Sequence, residues 1–241
     1  LTREGETATI RALEYGAIDF ITKPTNIFSV SSEEKKREII DKIKMAKSVS
    51  SKNRLFSPKQ INASAGPVSK SNIIKNIVAI GTSTGGPRAL QDVIPPIPGD
   101  IPAAFLVVQH MPPGFTKSLA SRLDSISQLT VKEAENGEIV QAGYVYIAPG
   151  DYHMTFDRGE GDNLKIVLIQ SPPVGGLRPS VDIMLDSLSA TGFKNIITVI
   201  MTGMGSDGSK SLKKIKKVNN GYIIAQDEES CVVYGMPKMA F

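Results

Sequence analysis

The sequence lacks the residues and runs on which several classes of protein depend. A single cysteine, Cys231, excludes an internal disulfide and any metal site built from cysteines. The two histidines, His110 and His153, leave few further ligands for a metal ion. The longest mainly apolar runs, such as residues 103–108 and 196–201, are far shorter than the roughly 20 residues that a membrane-spanning helix needs.

The chain also lacks a strong excess of either charge. Its 241 residues include 28 Lys+Arg and 24 Asp+Glu, a net charge of +4. The lysines are not interleaved with aromatic residues, so this balance does not predict a nucleic-acid partner. The opening residues, Leu-Thr-Arg-Glu-Gly, do not form a secretory signal. Length and a 41% apolar fraction predict one or two cytoplasmic α/β domains with a sizeable core.

The first 73 residues differ in composition from the rest. Residues 1–16 predict a helix that ends at Gly16, a plausible C-cap, and residues 17–22 predict a short strand. Residues 34–46 predict a second, strongly charged helix. Residues 48–71 are rich in Ser, Lys, Asn and Pro without apolar periodicity, as in a linker.

From Asn76 onward, apolar strands alternate with Gly-rich loops and helices. The predicted strands cover residues 77–80, 104–108, 144–148, 153–156, 164–170, 196–201 and 221–225. The predicted helices follow Pro87, begin near Thr116, cover residues 181–190 and include a Lys-rich segment after Gly208. Continuous apolar strands joined by helices predict a doubly wound, mostly parallel α/β sheet with helices on both faces, which is a Rossmann-like fold.

A Gly-rich loop after the first of these strands carries a candidate nucleophile. Gly81-x-Ser83-x-Gly85 fits the nucleophile elbow, in which flanking glycines admit a sharp turn between a strand and a helix. Such a turn exposes the hydroxyl, and the helix N-terminus offers backbone N–H groups to an oxyanion. The same residues also fit a tight turn whose Ser83 and Thr84 cap the helix, and this alternative stays open.

A nucleophilic serine needs a base, because its hydroxyl is a weak nucleophile at neutral pH. His110 follows the strand ending at Val108 and so lies at the carboxyl edge of the predicted sheet, whereas His153 lies in an alternating stretch typical of a structural histidine. Asp207 also follows a strand and is the carboxylate best placed to orient the histidine. The less well placed carboxylates are Asp151, Asp157 and Asp182. A triad of Ser83, His110 and Asp207 is therefore geometrically reasonable.

A second Gly-rich loop supports a competing hypothesis. Gly203-x-Gly205-x-x-Gly208 matches a dinucleotide-binding fingerprint after a strand, and Asp227 and Glu228 follow it at the distance expected of a ribose-binding acid. The chain would then be a dinucleotide-binding oxidoreductase. The acidic residue inside the loop argues against this, because an anion would sit there. The late position of the strand also argues against it.

Two basic features each have two interpretations. The Lys-rich helix, with lysines at 210, 213, 214, 216 and 217, is either a solvated face or the docking surface of a non-catalytic module for acidic helices. Arg178 could bind a substrate carboxylate in bidentate fashion or form an ordinary structural ion pair.

Six motifs follow one another between Asn76 and Phe241. They are Ile77-Val-Ala-Ile-Gly-Thr-Ser-Thr-Gly-Gly-Pro87, Val108-Gln-His-Met-Pro112, Tyr146-Ile-Ala-Pro-Gly-Asp151, Arg178-Pro-Ser-Val-Asp182, Met201-Thr-Gly-Met-Gly-Ser-Asp-Gly208 and Val233-Tyr-Gly-Met-Pro237. In this order they resemble the bacterial chemotaxis receptor protein-glutamate methylesterases. The resemblance is specific, because six separate motifs in one order are improbable by chance.

The resemblance implies a serine hydrolase that removes methyl groups from glutamate methyl esters of chemoreceptors and deamidates receptor glutamines. It implies a Ser83–His110–Asp207 triad and backbone N–H groups near Thr84 and Met204 as the oxyanion hole, with no metal and no cofactor. The implied partners are the cytoplasmic helices of methyl-accepting chemotaxis receptors and, through a receiver domain, the chemotaxis histidine kinase. The protein would be cytoplasmic and peripheral to these membrane receptors.

The string Gly16-Ala-Ile-Asp-Phe-Ile-Thr-Lys-Pro24 resembles the last strand of a response-regulator receiver domain, whose lysine contacts the phosphoryl group. The resemblance places the phospho-acceptor aspartate upstream of Leu1. We therefore expect residues 1–47 to be a receiver remnant, residues 48–73 a protease-sensitive linker and residues 74–241 the catalytic domain. Both ends look trimmed against the family, so we expect activity that does not respond to phosphodonors.

Overall fold

The computed structural model describes residues 3–22, 33–48, 73–159 and 163–241. Two helices, α1 (Arg3–Glu14) and α2 (Glu33–Ser48), lie where the sequence predicts them. The strand predicted over residues 17–22 is wrong, because these residues have no regular secondary structure. Lys23, Pro24 and most of the predicted linker lie outside the described residues.

The rest of the described chain alternates between strands and helices. The strands are β1 (Asn76–Thr82), β2 (Ala103–Gln109), β3 (Thr130–Glu133), β4 (Tyr144–Ile147), β5 (His153–Arg158), β6 (Leu164–Ile169), β7 (Ile196–Ile200) and β8 (Tyr222–Ala225). The helices are α3 (Gly86–Val93), α4 (Phe115–Asp124), α5 (Val181–Ala190), α6 (Leu212–Val218) and α7 (Met236–Ala240).

Six of the strands form one sheet in the order β3-β4-β2-β1-β7-β8, and every neighbouring pair in it is parallel. After β1 the chain adds β2, β3 and β4 on one side of it, with β4 between β2 and the edge strand β3. It then returns to the other side of β1 with β7 and β8. The order therefore reverses beside β1. In open α/β sheets, ligands bind at the carboxyl ends of the strands at such a switch point.

Alternation along the central strands explains why helices cover both faces of the sheet. In β1, Ile77 and Ala79 pack into the core under α5 and α6, whereas Ile80 packs into the opposite core under α3 and α4. Successive side chains of a strand point to opposite faces, so a strand that is apolar throughout needs cover on both. The doubly wound parallel α/β prediction is confirmed.

Helix α5 shows how the sequence fixes one of these layers. Val181, Met184, Leu185 and Leu188 recur at the spacing of one helical face, and all four are fully buried. Ser180 is the N-cap, and its side chain accepts a hydrogen bond from the backbone of Ile183. The helix therefore begins at the residue predicted from the sequence, at the edge of the sheet where the switch point lies.

Three short features differ from the prediction. Strands β5 and β6 form a separate antiparallel hairpin instead of joining the main sheet. Strand β3 was not predicted, because its four residues bury a single side chain and lie at the sheet edge. Helix α7 has five residues, which is too short for an apolar period to be visible in the sequence.

The N-terminal segment packs on the α3–α4 side of the molecule. Ile10 and Leu13 of α1 are 3% and 5% exposed and belong to the same core as the helices α3 and α4. Phe20 stacks on Phe115 with ring centroids 4.6 Å apart. No helix in the described ranges is long and apolar enough to cross a membrane.

Candidate active site

Ser83 occupies the turn between β1 and α3, at the carboxyl edge of the sheet. It is half-buried, and helix α3 begins three residues later with Pro87 in its first turn. The left-handed backbone of this turn lies at Gly85, with φ 79°. A Cβ on Gly81 would lie 2.7 Å from the Val181 side chain, so the strand before the serine also requires a glycine. The strand–turn–helix context of the elbow is present.

Thr202, directly after β7, holds this turn from the neighbouring strand. Its carbonyl accepts the Ser83 N–H at 3.0 Å, and its hydroxyl donates to the Thr84 carbonyl at 2.9 Å. The Ser83 N–H is therefore occupied. An oxyanion hole at this turn has to use the next backbone N–H, that of Thr84, as the nucleophile-elbow pattern also implies.

His110 and Asp207 meet across the switch point. His110 follows β2 and Asp207 follows β7, and the His110 Nε2 lies 2.8 Å from Asp207 Oδ2. Both side chains are almost fully enclosed, with 7% and 6% exposure. The other ring nitrogen of His110, Nδ1, is buried and has no hydrogen-bond partner among the described residues.

The N-terminus of α5 holds the Asp207 carboxylate. Oδ1 accepts from the Ser180 hydroxyl at 2.8 Å and from the Asp182 N–H at 3.0 Å, while Oδ2 accepts from the Val181 N–H at 2.6 Å. The first N–H groups of a helix have no partner inside the helix, and the helix dipole favours a negative charge there. Together with His110, four donors therefore surround this carboxylate.

These contacts decide the charge of Asp207. Burial by itself raises the pKa of the carboxyl group, but the hydrogen bond and charge of His110 and the N–H groups of Val181 and Asp182 outweigh it and hold the pKa below its ordinary value. An ionised carboxylate can only accept hydrogen bonds. A neutral His110 must therefore carry its single proton on Nε2, and only in this neutral form is the Nδ1 lone pair available as a base.

His153 lies outside this arrangement. It is fully buried, its Nδ1 accepts the Ser180 N–H at 3.2 Å and its Nε2 lies 3.3 Å from the Pro172 carbonyl. Burial lowers the pKa of His153, and the Pro172 carbonyl only partly offsets this. Both nitrogens are engaged, so its ring has no lone pair for a substrate. The sequence-based preference for His110 as the candidate base agrees with this geometry.

The second Gly-rich loop, residues 203–208, packs against Ser83 and carries Asp207, so its contacts do not favour dinucleotide binding. A Cβ on Gly203 would lie 2.8 Å from the Ser83 Cβ. Glycine at this position therefore allows the loop that follows β7 to lie close to the serine. Asp227, the proposed ribose ligand, instead accepts hydrogen bonds from Ser230 within its own turn. The loop therefore positions Asp207, and the oxidoreductase alternative is not favoured.

Arg178 lines the cleft, but its guanidinium is engaged elsewhere. Its Nε donates to Asp151 Oδ1 at 3.1 Å, its Nη2 donates to the same oxygen, and its Nη1 donates to the Ser171 carbonyl at 3.0 Å. These bonds close a loop whose tip is a two-residue turn at Gly175 and Gly176. Arg178 is thus an ion-paired residue beside the cleft.

A cleft of about 690 Å³ opens over the candidate residues. Ser83, His110, Met204 and Arg178 are among its lining residues. A further part of its wall comes from the N-terminal segment, with Asp19, Phe20, Arg37 and Lys42. Thr84 donates its hydroxyl to Asp19 Oδ2 at 2.9 Å, so this wall contacts the turn that carries the serine.

Two other observations bear on the predicted site. Lysines 213, 214, 216 and 217 of α6 are exposed, and Lys214 pairs with Asp186 at 2.8 Å. The described parts of the chain contain no group of three or more His, Cys, Asp or Glu side chains that could hold a metal ion. The residues that the sequence did not single out are Ser180, Thr202 and Gln109, each of which contacts a triad residue or its backbone.

Ser83, His110 and Asp207 all lie at the switch point of a parallel α/β sheet, where open sheets of this kind bind their ligands. Comparison with known proteins identifies the family: the model of the CheB methylesterase family matches residues 78–241. The chain belongs to the CheB methylesterase family, a family of hydrolases.

Curated relatives are similar in sequence to almost the whole chain. A protein-glutamate methylesterase/protein-glutamine glutaminase of Thermotoga maritima is 48% identical over 238 residues, which are 99% of this chain and 68% of that protein. A protein of the same name from Pyrococcus horikoshii is 46% identical over 244 residues, covering 100% of this chain and 65% of that protein. The crystal structure of the Thermotoga maritima CheB methylesterase catalytic domain matches with a TM-score of 0.66 and 51% identity, over 72% of this chain and 88% of that one.

Proposed function

We propose that Ser83, His110 and Asp207 are the catalytic triad with which this methylesterase hydrolyses glutamate methyl esters, and deamidates glutamines, in chemoreceptor proteins. The observation that carries the proposal is the 2.8 Å contact between His110 Nε2 and the charged Asp207, which leaves Nδ1 without a partner among the described residues, and His110 lines the same cleft as Ser83. The names of the relatives supply the two substrates, and the triad accounts for both with one mechanism.

The first half of the reaction forms an acyl-enzyme. His110 Nδ1 takes the proton of the Ser83 hydroxyl as Oγ attacks the δ-carbon of the glutamate ester. The carbonyl oxygen becomes an oxyanion, and its charge is stabilised by the backbone N–H groups of Thr84 and Met204. When the tetrahedral intermediate collapses, the C–O bond to the methoxy group breaks. The leaving group takes the proton from His110 and departs as methanol.

The second half reverses these roles. A water molecule gives a proton to His110 Nδ1 and attacks the acyl carbon, and the Ser83–acyl bond breaks as Ser83 recovers its proton. The product is the free glutamate carboxylate. A glutamine side chain gives the same acyl-enzyme, with ammonia leaving in place of methanol. One triad is therefore sufficient for both activities.

The histidine works in an unusual orientation. In the Ser-His-Asp triad of chymotrypsin, Nδ1 binds the aspartate and Nε2 faces the serine. Here Nε2 binds Asp207 and Nδ1 remains for Ser83. Either ring nitrogen can act as a base when the other carries the proton, so the exchange preserves the mechanism as long as Asp207 keeps the proton on Nε2.

A second proposal concerns the division of the chain into segments. We propose that residues 1–47 belong to a receiver-like regulatory unit, residues 48–73 to a linker and residues 74–241 to the catalytic unit. The family match begins at residue 78, after the proposed linker. The contacts of Asp19 and Phe20 with the catalytic unit support a regulatory position for the first of these segments.

The experiment is release of radioactive methanol from a methyl-labelled receptor fragment. Ser83→Ala and His110→Ala are each expected to lower kcat by at least about 1,000-fold, because triad members act as a unit. His153→Ala is the matched histidine control and should retain most of the activity of the folded protein. Equal losses at the two histidines would overturn the assignment of the base, and full activity of Ser83→Ala would overturn the triad.

A further inference from the structure

Gln109 is a buried side chain that contacts both halves of the proposed nucleophile–base pair. It is the last residue of β2, directly before His110, and only 2% of it is exposed. Its Nε2 lies 3.0 Å from the Ser83 carbonyl and 3.2 Å from the His110 carbonyl. Both neighbours can only accept hydrogen bonds, so the amide nitrogen, and not the amide oxygen, must occupy this position.

The Ser83 carbonyl belongs to the same peptide unit as the Thr84 N–H. A trans peptide is planar, and its C=O and N–H point in opposite directions. The Gly86 N–H donates to this carbonyl at 2.8 Å, so two donors, Gly86 N–H and Gln109 Nε2, hold one end of the unit. Fixing the carbonyl therefore fixes the direction of the Thr84 N–H. Hydrogen bonds accepted by the carbonyl also polarise the N–H as a donor.

We propose that Gln109 is a positioning residue for the oxyanion hole. Its amide nitrogen holds the Ser83–Thr84 peptide in the orientation that directs the Thr84 N–H toward the oxygen on which negative charge develops. The inference rests on the proposed function, which assigns Thr84 N–H to the oxyanion. Preorganised donors of this kind act because they need no reorientation during the reaction.

The hydrogen bond from Gln109 Nε2 to the His110 carbonyl has a further effect. By binding the Ser83 and His110 carbonyls together, Nε2 joins the carboxyl ends of β1 and β2 just beyond their last parallel pair, Thr82 and Gln109. One amide group therefore contacts the backbone after both strands, while the His110 ring keeps its own contact with Asp207. An aliphatic side chain of equal length would fill the space without this connection.

The surroundings are shaped for an amide. A Cβ on Gly86 would lie 2.0 Å from Gln109 Oε1, so only glycine leaves room for this oxygen at the start of α3. Oε1 itself is buried without a hydrogen-bond partner among the residues that the structure describes. A buried polar atom without a partner destabilises the folded state. The amide is therefore better explained by what Nε2 does for the site than by stability.

The test compares Gln109→Met, which keeps the length of the side chain and removes the N–H donor, with Gln128→Met. Gln128 is exposed and bonds the Gly99 backbone, remote from the site in sequence and contacts. We expect Gln109→Met to lower kcat on the methyl-labelled receptor fragment by about 10- to 100-fold, less than loss of a complete oxyanion donor. KM and the pH midpoint of kcat/KM should stay within about twofold and 0.3 units of wild type, since neither substrate binding nor the His110 base has changed.

An independent readout is the affinity for butylboronic acid, which forms a tetrahedral adduct with an activated serine. An oxyanion-hole role requires its inhibition constant to rise by the same factor as kcat falls. A purely structural role would lower the melting temperature without this proportionality. Gln109→Leu also removes the N–H donor without burying a charge, and it replaces Gln109→Met in the same measurements if the latter does not fold.

The outcomes separate the two proposals. If the wild-type chain releases no methanol, or Ser83→Ala releases it as fast as wild type, the proposed function fails. If the wild type is active but Gln109→Met keeps its kcat and its boronic acid affinity, only the inference about Gln109 fails. A shift in the pH midpoint would overturn it as well, because the amide would then act on His110 instead of on the oxyanion peptide.

Discussion

His110 and His153 differ in which of their nitrogens are engaged. His153 uses both ring nitrogens for backbone groups and is fully buried, so it is neutral and structural. His110 engages Nε2 alone and keeps Nδ1 unpartnered among the described residues. A single hydrogen bond thus separates the candidate base from a core histidine.

His153 should make stability fall in mildly acidic solution. Burial lowers its pKa in the folded protein from the ordinary value of 6.5, so the unfolded chain takes up a proton first as the pH falls. The contribution of neutral His153 to the free energy of unfolding is complete above pH 6.5. It is lost as the pH falls below that value toward the pKa of His153 in the folded protein. His153→Asn, which cannot titrate, should therefore lose less unfolding free energy than wild type between pH 7.5 and 5.5.

Urea unfolding at the two pH values measures this difference. The lowered pKa of Asp207 acts in a separate, more acidic range, because its contribution is present above pH 3.8 and lost as the pH falls through the folded pKa. The two effects can therefore be distinguished. Identical pH slopes for wild type and His153→Asn would show that the buried histidine is not the source.

The triad candidates could be predicted from the sequence because each follows a buried strand. Ser180 and Thr202 could not, since their roles depend on contacts between distant segments: Ser180 lies 27 residues from Asp207, and Thr202 lies 118 residues from Thr84. Only the strand order, with β7 beside β1, brings them together. Gln109 precedes a predicted residue, but the orientation of its amide is likewise set by the neighbouring strand.

At the scale of elements, the N-terminus of α5 keeps Asp207 charged. Ser180→Ala removes the hydroxyl that donates to Asp207 Oδ1 and accepts from Ile183. We expect a loss of about 1–2 kcal/mol of unfolding free energy, the usual cost of an N-cap. We also expect kcat to fall by about 3- to 10-fold, because the Asp207 carboxylate is held less firmly in the orientation that bonds His110 Nε2.

Ser180→Thr restores a hydroxyl and is the matched control. It should recover both the stability and kcat, provided that the buried position admits one more methyl group. Chemical denaturation and the methanol-release assay give the two quantities on the same samples. If Ser180→Ala loses stability but keeps kcat at every pH, the hydroxyl caps the helix without acting on Asp207.

Arg178 and Asp151 anchor the loop that ends at the cleft. The loop folds back between Val174 and Leu177, and Arg178 ties it to Asp151 and to the Ser171 carbonyl. Lysine cannot reproduce a guanidinium that forks to two partners. We therefore expect Arg178→Lys to raise KM for the receptor fragment by about 3- to 10-fold with kcat nearly unchanged, because the wall of the cleft is misplaced.

Asp151→Asn decides between the two interpretations of this arginine. If Arg178 anchors the loop, Asp151→Asn should raise KM in the same way, and the double variant should be little worse than either single one. If Arg178 binds a substrate carboxylate, Asp151→Asn should leave KM unchanged or lower it, since the guanidinium would be released for the substrate. Steady-state kinetics of the three variants separates the cases.

Elements with a clear apolar period were predicted with nearly correct bounds, and α5 is the best example, because its four buried residues fall on one face. Residues 17–22 show the limit of this reasoning. Their alternation of Ile18, Phe20 and Thr22 with other residues fits a strand, yet no neighbouring strand pairs with them among the described residues. A strand needs a partner for its backbone groups, and sequence alone does not supply one.

At the scale of the whole molecule, the N-terminal segment and the catalytic unit share one cleft. The segment is held by buried contacts of α1, by the stacking of Phe20 on Phe115 and by the bond from Thr84 to Asp19. These contacts place an acidic and an aromatic side chain in the wall of the cleft that Ser83 also lines. We therefore expect this wall to obstruct a receptor helix, about 10 Å across, more than a small ester in a cleft of about 690 Å³.

Weakening the wall should therefore favour the large substrate selectively. Asp19→Ala combined with Phe20→Ala removes the contacts to Thr84 and Phe115. We expect kcat/KM for the methylated receptor fragment to rise about 3- to 10-fold, because the N-terminal segment is then held less firmly at the cleft. Hydrolysis of a small ester such as p-nitrophenyl acetate should change less than about twofold. Tyr15→Ala, at an exposed position of the same segment, is the control and should alter neither rate. Equal increases for both substrates would mean that the segment acts on Ser83 itself, and no increase for the receptor would mean that the wall does not obstruct it.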